Sequence, residues 1–145
     1  MLRRLAIAGA MLVASIPVGK AECHLLNIPS KPSPISIMCD VISAMEQVES
    51  AGNPLAFNHK EKAAGILQIR PIMVKEINRR CGTNYTNEDC FDPIKATIMF
   101  VRLQLLTNPK LSPEKAARIW NGGYKGMHKE TTVKYWQSVK AVMNG

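Results

Sequence analysis

The sequence predicts a mainly α-helical domain with little or no β-sheet. Apolar residues recur at helical spacing: Met38, Ile42 and Met45 follow one another at steps of four and three residues. A capping residue and a proline stand together where later helices are expected to begin, at Asp92-Pro93 and at Ser112-Pro113. The alternation of apolar and polar residues that marks a half-buried strand is almost absent.

Five helices follow from these signals. Helical periodicity and helix-ending residues predict them over residues 37–50, 71–80, 93–105, 113–121 and 129–143. Gly52 and Pro54 are expected to end the first helix, and Pro71 suits the first position of the second. The third helix is apolar nearly all round, which predicts that it forms the buried centre of the domain.

The first part of the chain reads as an export signal. Arg3 and Arg4 precede an apolar run, residues 5–18, and small residues lead to Ala21. The run is short for a membrane span, so cleavage near Ala21 is favoured over an uncleaved anchor. The sequence therefore predicts a signal peptide over 1–21, an extended proline-containing arm over 22–36 and one domain over 37–145, exported to the periplasm or the cell wall.

The charge favours an anionic partner. The formal charge is +8, and removal of residues 1–21 takes away three cations and no acid, which leaves +5. The remaining basic residues are scattered, and export argues against nucleic acid as the partner. An acidic polymer outside the cytoplasm, such as the cell wall, fits both observations.

Four cysteines predict disulfides in an exported protein, without fixing how they pair. Cys81 with Cys90 would close a short loop, and Cys23 with Cys39 would tie the arm to the first helix. A metal site is not expected, because no two cysteines have the close spacing of zinc ligands and the three histidines are dispersed. No cofactor is expected either.

Glu49 is the candidate catalytic residue. It continues the apolar stripe four residues after Met45, so its carboxylate points along the apolar side of the helix. Loss of hydration and the negative end of the helix dipole should both raise its pKa. A carboxylic acid that keeps its proton near neutral pH can protonate a leaving group. Alone, the same residue would suit a solvated helix end.

Four short motifs in a fixed order resemble those of the lysozyme-like lytic transglycosylases, of the soluble lytic transglycosylase type. They are Glu49-Ser50, Gly65-Ile66-Leu67-Gln68, Asn121-Gly122-Gly123 and Tyr135, and the resemblance covers about residues 39–142. It implies a compact lysozyme-like helical domain that cleaves peptidoglycan strands. Mild departures are Ala51, Leu67 and Gly122, and the approach to Tyr135 lacks an arginine common in the family.

The resemblance assigns roles to these positions. Glu49 would be the single acid/base, and the product would be a 1,6-anhydro-muramic end formed without water. Ser50, Leu67, Gln68 and Asn121 would contact the sugars, and Gly65 would let the backbone approach a sugar closely. Tyr135 would hydrogen-bond Glu49 and hold it in place. Trp120 fits a sugar platform and a core position equally well, and Tyr124 could also stack on a sugar.

Two other functions remain open from the sequence. A hydrolytic muramidase of lysozyme type would need a second carboxylate near Glu49, and Glu61, between Lys60 and Lys62, is expected to be solvated instead. A non-catalytic module could bind peptidoglycan or a secretion protein, although it would not need an acid at Glu49. Small exported relatives serve secretion, conjugation or phage-entry assemblies. The chain is expected to act as a monomer.

Overall fold

The computed structural model describes residues 32–145, which form five α-helices and one small β-hairpin. The helices are α1 (Pro34–Ser50), α2 (Pro71–Cys81), α3 (Pro93–Thr107), α4 (Pro113–Gly122) and α5 (Glu130–Met143). Strands β1 (Phe57–Asn58) and β2 (Ala63–Ala64) pair antiparallel, and 3₁₀ turns cover Glu88–Phe91 and Gly126–His128. The expected mainly helical fold is confirmed.

Some of the sequence predictions fall outside the described residues. The signal peptide over 1–21, Cys23 and residues 22–31 of the arm over 22–36 belong to that part of the chain. Helix α1 begins at Pro34, three residues before the expected start, because the Ser33 hydroxyl accepts a hydrogen bond from the Ser36 backbone at 3.0 Å. Within residues 32–145, no helix combines the length and apolar character that a membrane crossing requires.

The core lies between α1, α3 and α4, with α5 packed against α1 and α4. Met38, Ile42 and Met45 are all buried, which confirms the apolar stripe of α1. Arg118 of α4 joins the last two helices: its Nε donates to the Thr132 hydroxyl at 3.1 Å and its Nη2 to the Met127 carbonyl at 2.8 Å. This packing brings α5 alongside the end of α1.

Helix α3 is not the buried centre that its composition predicted. Ala96, Met99 and Phe100 are fully buried, but Ile94 is 73% exposed and Leu105 is 66% exposed. Only one side of α3 faces the core, and apolar composition alone does not tell which side of a helix will be covered. The prediction of a central buried helix was therefore wrong.

The described cysteines are free thiols. Cys81 ends α2 and Cys90 lies buried in the 3₁₀ turn, and the structure does not join them. Burial raises the pKa of the Cys90 thiol to about 11, so it stays protonated and acts as a small core residue. The other short pairing, between Cys23 and exposed Cys39, involves a residue outside the described part of the chain.

Candidate active site

Glu49 lies in the last turn of α1, where the apolar stripe reaches the surface of the core. Its side chain is half-buried, and its Oε1 accepts a hydrogen bond of 2.7 Å from the hydroxyl of Tyr135 in α5. The two residues are 86 positions apart, and the packing of α5 on α1 brings them together. The expected hydrogen bond between Tyr135 and Glu49 is confirmed.

Burial raises the pKa of Glu49 above that of an ordinary glutamate. Its hydrogen bond with Tyr135 and the positive charge of Arg70 act in the opposite direction, and the negative charge of Glu61 adds to the rise. Burial and the neighbouring carboxylate raise the pKa of Tyr135 itself, so its hydroxyl keeps its proton and remains a donor. The pair therefore combines an acid whose pKa is raised with a hydroxyl that donates a hydrogen bond to it.

Glu49 opens into a polar cavity of about 320 Å³, here called the acid cleft. Its walls come from α1, the β-hairpin, the loop before α2, and α4. The residues that line it are Glu49, Asn58, Glu61, Ala63, Gln68, Arg70, Met73, Trp120 and Asn121. Three of the seven predicted site residues, Glu49, Gln68 and Asn121, therefore line one cleft.

Gly65 is needed for contact with the protein's own chain. Its φ is +77°, and a Cβ built there would lie 1.7 Å from the carbonyl oxygen of Cys90. No side chain fits in that space, so the loop before α2 and the 3₁₀ turn can pack only around glycine. The structure gives Gly65 this packing role, and its approach to a sugar stays a prediction.

Leu67 does not line the cleft, contrary to expectation. Its side chain is fully buried, and its carbonyl accepts a hydrogen bond of 3.1 Å from the indole Nε1 of Trp120. Trp120 is only 2% exposed and packs beside Phe100, with ring centroids 5.1 Å apart. Trp120 is thus a core residue whose edge reaches the floor of the acid cleft, and it offers no open face for stacking on a sugar.

Gln68 is fixed at the cleft wall by its own amide. Its Nε2 donates to the carbonyls of Gly65 at 2.9 Å and Ala56 at 3.2 Å, and its φ is +48°. The amide oxygen has no hydrogen-bond partner among the described residues. That oxygen is the group left for a ligand hydroxyl or amide.

Ser50 contacts the protein backbone and does not line the cleft. Its Oγ lies 2.8 Å from the carbonyl of Ile66 and 3.1 Å from that of Glu46. The hydroxyl therefore joins the end of α1 to the loop that carries Gln68. These bonds hold the end of α1 against that loop, and contact between Ser50 and the reacting sugar stays a prediction.

Asn121 stands exposed at the end of α4 and lines the acid cleft. The following glycine, Gly122, packs against α5: a Cβ there would lie 2.5 Å from Cγ2 of Thr132. Gly123 ends the helix with a φ of +71°. The glycines therefore position Asn121 by close helix packing, as well as ending α4.

Glu61 and Arg70 line the cleft although sequence reasoning did not place them there. Asn58 Oδ1 accepts hydrogen bonds from the backbone nitrogens of Lys60 at 3.0 Å and Glu61 at 3.2 Å, which folds the hairpin turn over the cleft. The lysines on either side of Glu61 suggested that all three side chains point into solvent. The sequence signal that could have placed Glu61 at the cleft is Asn58, a residue type that favours such a turn. Arg70, one residue beyond Ile69, precedes Pro71 and caps α2 at the cleft edge.

A second, smaller cavity adjoins the acid cleft, and we call it the apolar groove. It measures about 150 Å³, shares Arg70 and Met73 with the acid cleft, and contains Tyr124. The Tyr124 hydroxyl donates to Glu76 at 3.1 Å, and the Arg80 guanidinium lies 5.0 Å from the centre of its ring. Tyr124 therefore lines the apolar groove and does not reach Glu49.

The side chains of the described residues include no group of three or more histidines, cysteines, aspartates and glutamates placed to hold a metal ion. The cleft residues supply one half-buried acid, Glu49, one exposed acid, Glu61, one arginine and several amides. That set suits proton transfer to and from a bound polar polymer.

Fold and cleft together define a small helical domain of lysozyme-like type, with a half-buried glutamate in a polar cleft. Residues 34–103 match the family model described as transglycosylase SLT domain. This match supports a lysozyme-like lytic transglycosylase, a class that acts on peptidoglycan. The match contains Glu49 and Gln68 and ends before Asn121 and Tyr135.

Comparisons with curated proteins and with solved structures found no match.

Proposed function

We propose that this protein cleaves the β-1,4 bond between N-acetylmuramic acid and N-acetylglucosamine in peptidoglycan and leaves a 1,6-anhydro-muramic end. The observation that carries the proposal is Glu49: a half-buried carboxyl with a raised pKa, held by Tyr135 and facing a polar cleft. The match of residues 34–103 to the transglycosylase SLT domain supports the same class of reaction.

In the first step, Glu49 in its acid form donates its proton to the glycosidic oxygen. The bond from that oxygen to the muramic C1 breaks, and the N-acetylglucosamine leaves with a free 4-hydroxyl. The acetamido oxygen of the same muramic residue bonds to C1 and takes up the developing positive charge. Glu49 is left as a carboxylate, which the hydrogen bond from Tyr135 stabilises.

In the second step, the Glu49 carboxylate removes the proton of the muramic 6-hydroxyl. The oxygen of that hydroxyl attacks C1, the acetamido oxygen is released, and the 1,6-anhydro ring closes. Glu49 regains its proton and no water is consumed. One carboxyl therefore serves as acid and as base, with the substrate supplying the nucleophile.

Hydrolysis is the second candidate, and Glu61 is the observation that favours it. Glu61 lines the same cleft, and its charge is close enough to raise the pKa of Glu49. A carboxylate at that place could direct a water molecule to C1. Its side chain is exposed, however, and retains its solvation at the outer wall, which supports an electrostatic influence more than activation of water.

We further propose that the mature chain acts as a monomer outside the cytoplasm, in the periplasm or at the cell wall. Arg3, Arg4 and the apolar run over 5–18 support export, and the positive charge that remains supports contact with an acidic wall. A role in wall opening for a secretion, conjugation or phage-entry assembly is consistent with the small single domain.

The test is mass spectrometry of fragments released from purified peptidoglycan by residues 22–145. We expect anhydro-muramic ends from the wild type and none from Glu49→Gln. The matched control is Glu46→Gln, one turn earlier on the same helix and outside the acid cleft. It should release the same products as the wild type.

Each other outcome identifies a different function. Reducing muramic ends would replace the proposal by hydrolysis, and their loss in Glu61→Gln would assign the second carboxylate. If a folded wild type binds peptidoglycan and releases nothing, the proposal is wrong and a binding module takes its place.

A further inference from the structure

Helix α3 carries an apolar row on the side that faces away from the core. Four exposed aliphatic residues follow one another at steps of four, three and four positions: Ile94, Ile98, Val101 and Leu105. These steps place the side chains within about 60° of the helix circumference, along about 16 Å of its length. Isolated apolar side chains are common on protein surfaces, but a contiguous row is typical of a surface that another element covers. We call this row the α3 seam.

The spacing of the α3 seam is that of a coiled coil. Residues at these steps occupy the d and a positions of a heptad repeat, which face a partner helix when two helices pack side by side. The core already covers the opposite side of α3, where Met99 and Phe100 are fully buried. The four seam side chains remain exposed among residues 32–145, so the d and a positions lack the partner helix that their spacing fits.

Arg102 gives the border of the α3 seam a positive charge. It follows Val101 and so occupies an e position, where charged residues of coiled coils pair with the partner helix. Its side chain is half-buried, its Nε has no hydrogen-bond partner, and among residues 32–145 it forms no ion pair. Lys95, at the other e position, is paired with Asp89. Of these two cations, Arg102 is therefore the one available to a carboxylate, which a guanidinium binds through two parallel hydrogen bonds.

The charges do not favour a second copy of this chain on the α3 seam. When two copies of a helix pack antiparallel, their e positions face each other, so Lys95 of one copy approaches Arg102 of the other and like charges meet. When the copies pack parallel, an e position faces a g position, which is Thr97 here and offers no carboxylate. In neither orientation does Arg102 gain an acid.

A lipid surface also fits the α3 seam less well than a helix does. Helices that lie in a bilayer interface present a wide apolar face with several cations along its border. The α3 seam is a narrow row of aliphatic side chains, and the cations at its e positions are Arg102 and the already paired Lys95. A narrow row with d and a spacing is the contact surface for one helix.

We propose that the α3 seam binds an amphipathic helix of a partner protein, which packs apolar residues onto the seam and places an acidic residue opposite Arg102. None of the four seam side chains lines the acid cleft or the apolar groove, so a bound helix leaves Glu49 accessible. A protein partner can thus hold the domain while the cleft stays open. The inference goes beyond the proposed function and does not depend on it, because the seam and the cleft share no residue.

The experiment measures the binding of two synthetic helical peptides to residues 22–145 by fluorescence anisotropy. Both peptides are about three heptads long and have leucine at the a and d positions. The acidic peptide has glutamate at its e and g positions, and the basic peptide has lysine there. Because the whole domain is positive, it should bind the acidic peptide more tightly in any case. The readout is therefore how single substitutions change each affinity and the ratio between the two.

Leu105→Ser tests the apolar row and should weaken binding of the acidic peptide about tenfold. Its control is Ile35→Ser in α1, because Ile35 is 71% exposed, Leu105 is 66% exposed, and Ile35 lies outside the α3 seam. Arg102→Glu tests the charge and should lower the acidic-to-basic ratio of affinities about tenfold. Lys134→Glu makes the same charge change at an exposed cation of α5 and should alter that ratio less than about twofold.

Several results would overturn the proposal. One is that the wild type binds neither peptide, and another is that each variant loses no more affinity than its control. A dimer in sedimentation that Leu105→Ser dissociates would assign the α3 seam to a second copy. Binding to phosphatidylglycerol vesicles, lost in Leu105→Ser and without peptide binding, would assign it to a lipid surface. Circular dichroism checks that each variant is folded, and Ile98→Ser replaces Leu105→Ser if the latter is not. No measurement here needs catalysis, so failure of the proposed function leaves this test intact.

Discussion

Two parts of the acid cleft influence the pKa of Glu49 by different physical effects. We call the buried part around Glu49 and its hydrogen-bond partner the floor, and the more exposed charged residues the rim. On the floor, Glu49 and Tyr135 are half-buried and joined at 2.7 Å, and burial is the largest cause of the raised pKa. On the rim, Glu61 is exposed and Arg70 is half-buried, and both act on Glu49 through charge. Desolvation is the main cause of the raised pKa of Glu49, and the solvent-screened charges on the rim change that pKa by smaller amounts. Changes on the floor should therefore have larger effects than changes on the rim.

Removing the acid is the strongest test of the floor. Glu49→Gln keeps the shape of the side chain and loses the transferable proton, so we expect kcat to fall about a thousandfold or more. Release of fragments from peptidoglycan measures the loss, with Glu46→Gln as the control. Activity within about tenfold of wild type would mean that another group supplies the proton.

Glu49→Gln should stabilise the fold at neutral pH although it abolishes activity. The folded-state pKa of Glu49 is raised, so the folded state binds its proton more tightly than the unfolded state does. Stability is therefore lost as pH rises from the unfolded pKa through the folded pKa. We expect Glu49→Gln to unfold at a higher temperature than wild type at pH 7 and at nearly the same temperature at pH 3, by circular dichroism. A lower melting temperature at pH 7 would contradict the assigned cause of the pKa shift.

Gly65 supports the floor through the backbone. Gly65→Ala combines a positive φ with a clash against the Cys90 carbonyl, so we expect a loss of about 3 kcal/mol in the free energy of unfolding. Gly82→Ala is the matched control: its φ is +63° and nothing lies near the added Cβ. It should cost about 1 kcal/mol, the backbone strain alone. Equal losses in urea titrations of the two variants would show that the contact with Cys90 carries no cost.

Tyr135 should influence the pH dependence of activity through its hydrogen bond to Glu49. Tyr135→Phe removes a hydrogen bond that stabilises the Glu49 carboxylate, so the pKa of Glu49 rises further. The proton donor must be protonated, and activity falls as pH rises through that pKa. We expect the alkaline limb of the kcat/KM profile to move to higher pH while kcat drops about tenfold. Tyr85→Phe, in the core but away from Glu49, should change neither quantity.

Substitution of Glu61 tests the rim, and we expect it to have the smallest effect on activity. Glu61→Gln removes a negative charge that raises the pKa of Glu49, so the alkaline limb should move to lower pH. We expect kcat near the optimum to change less than about threefold, since exposed charges are well screened. Glu88→Gln, an exposed acid away from the cleft, is the control. A loss of more than about a hundredfold would make Glu61 a second catalytic carboxylate.

Local signals in the sequence predicted the helices and the acid. Ser112 and Asp92 cap the helices that they were expected to cap, and Glu49 follows the apolar stripe of α1. These features depend on neighbours within one turn, so they can be read from a short segment. The start of α1 was misplaced only because Ser33 and Pro34 were assigned to the arm.

The features that could not be predicted depend on contacts between distant segments. Which side of α3 is covered follows from the packing of other helices, and Leu67 is buried in a loop whose carbonyl is bound by Trp120, 53 residues away. Glu61 is next to two lysines in sequence, but the hairpin turn places it in the lining of the same cleft as Glu49. Arg70 meets the cleft only because α4 ends opposite the start of α2.

The central claim is that burial at the floor raises the pKa of Glu49, and a carbon-13 NMR titration of its side-chain carboxyl tests it most directly. The account predicts a pKa above 4.5, higher still in Tyr135→Phe and lower in Glu61→Gln. A wild-type pKa at or below 4.5 would contradict it, because burial would then not be the largest influence on the pKa of Glu49.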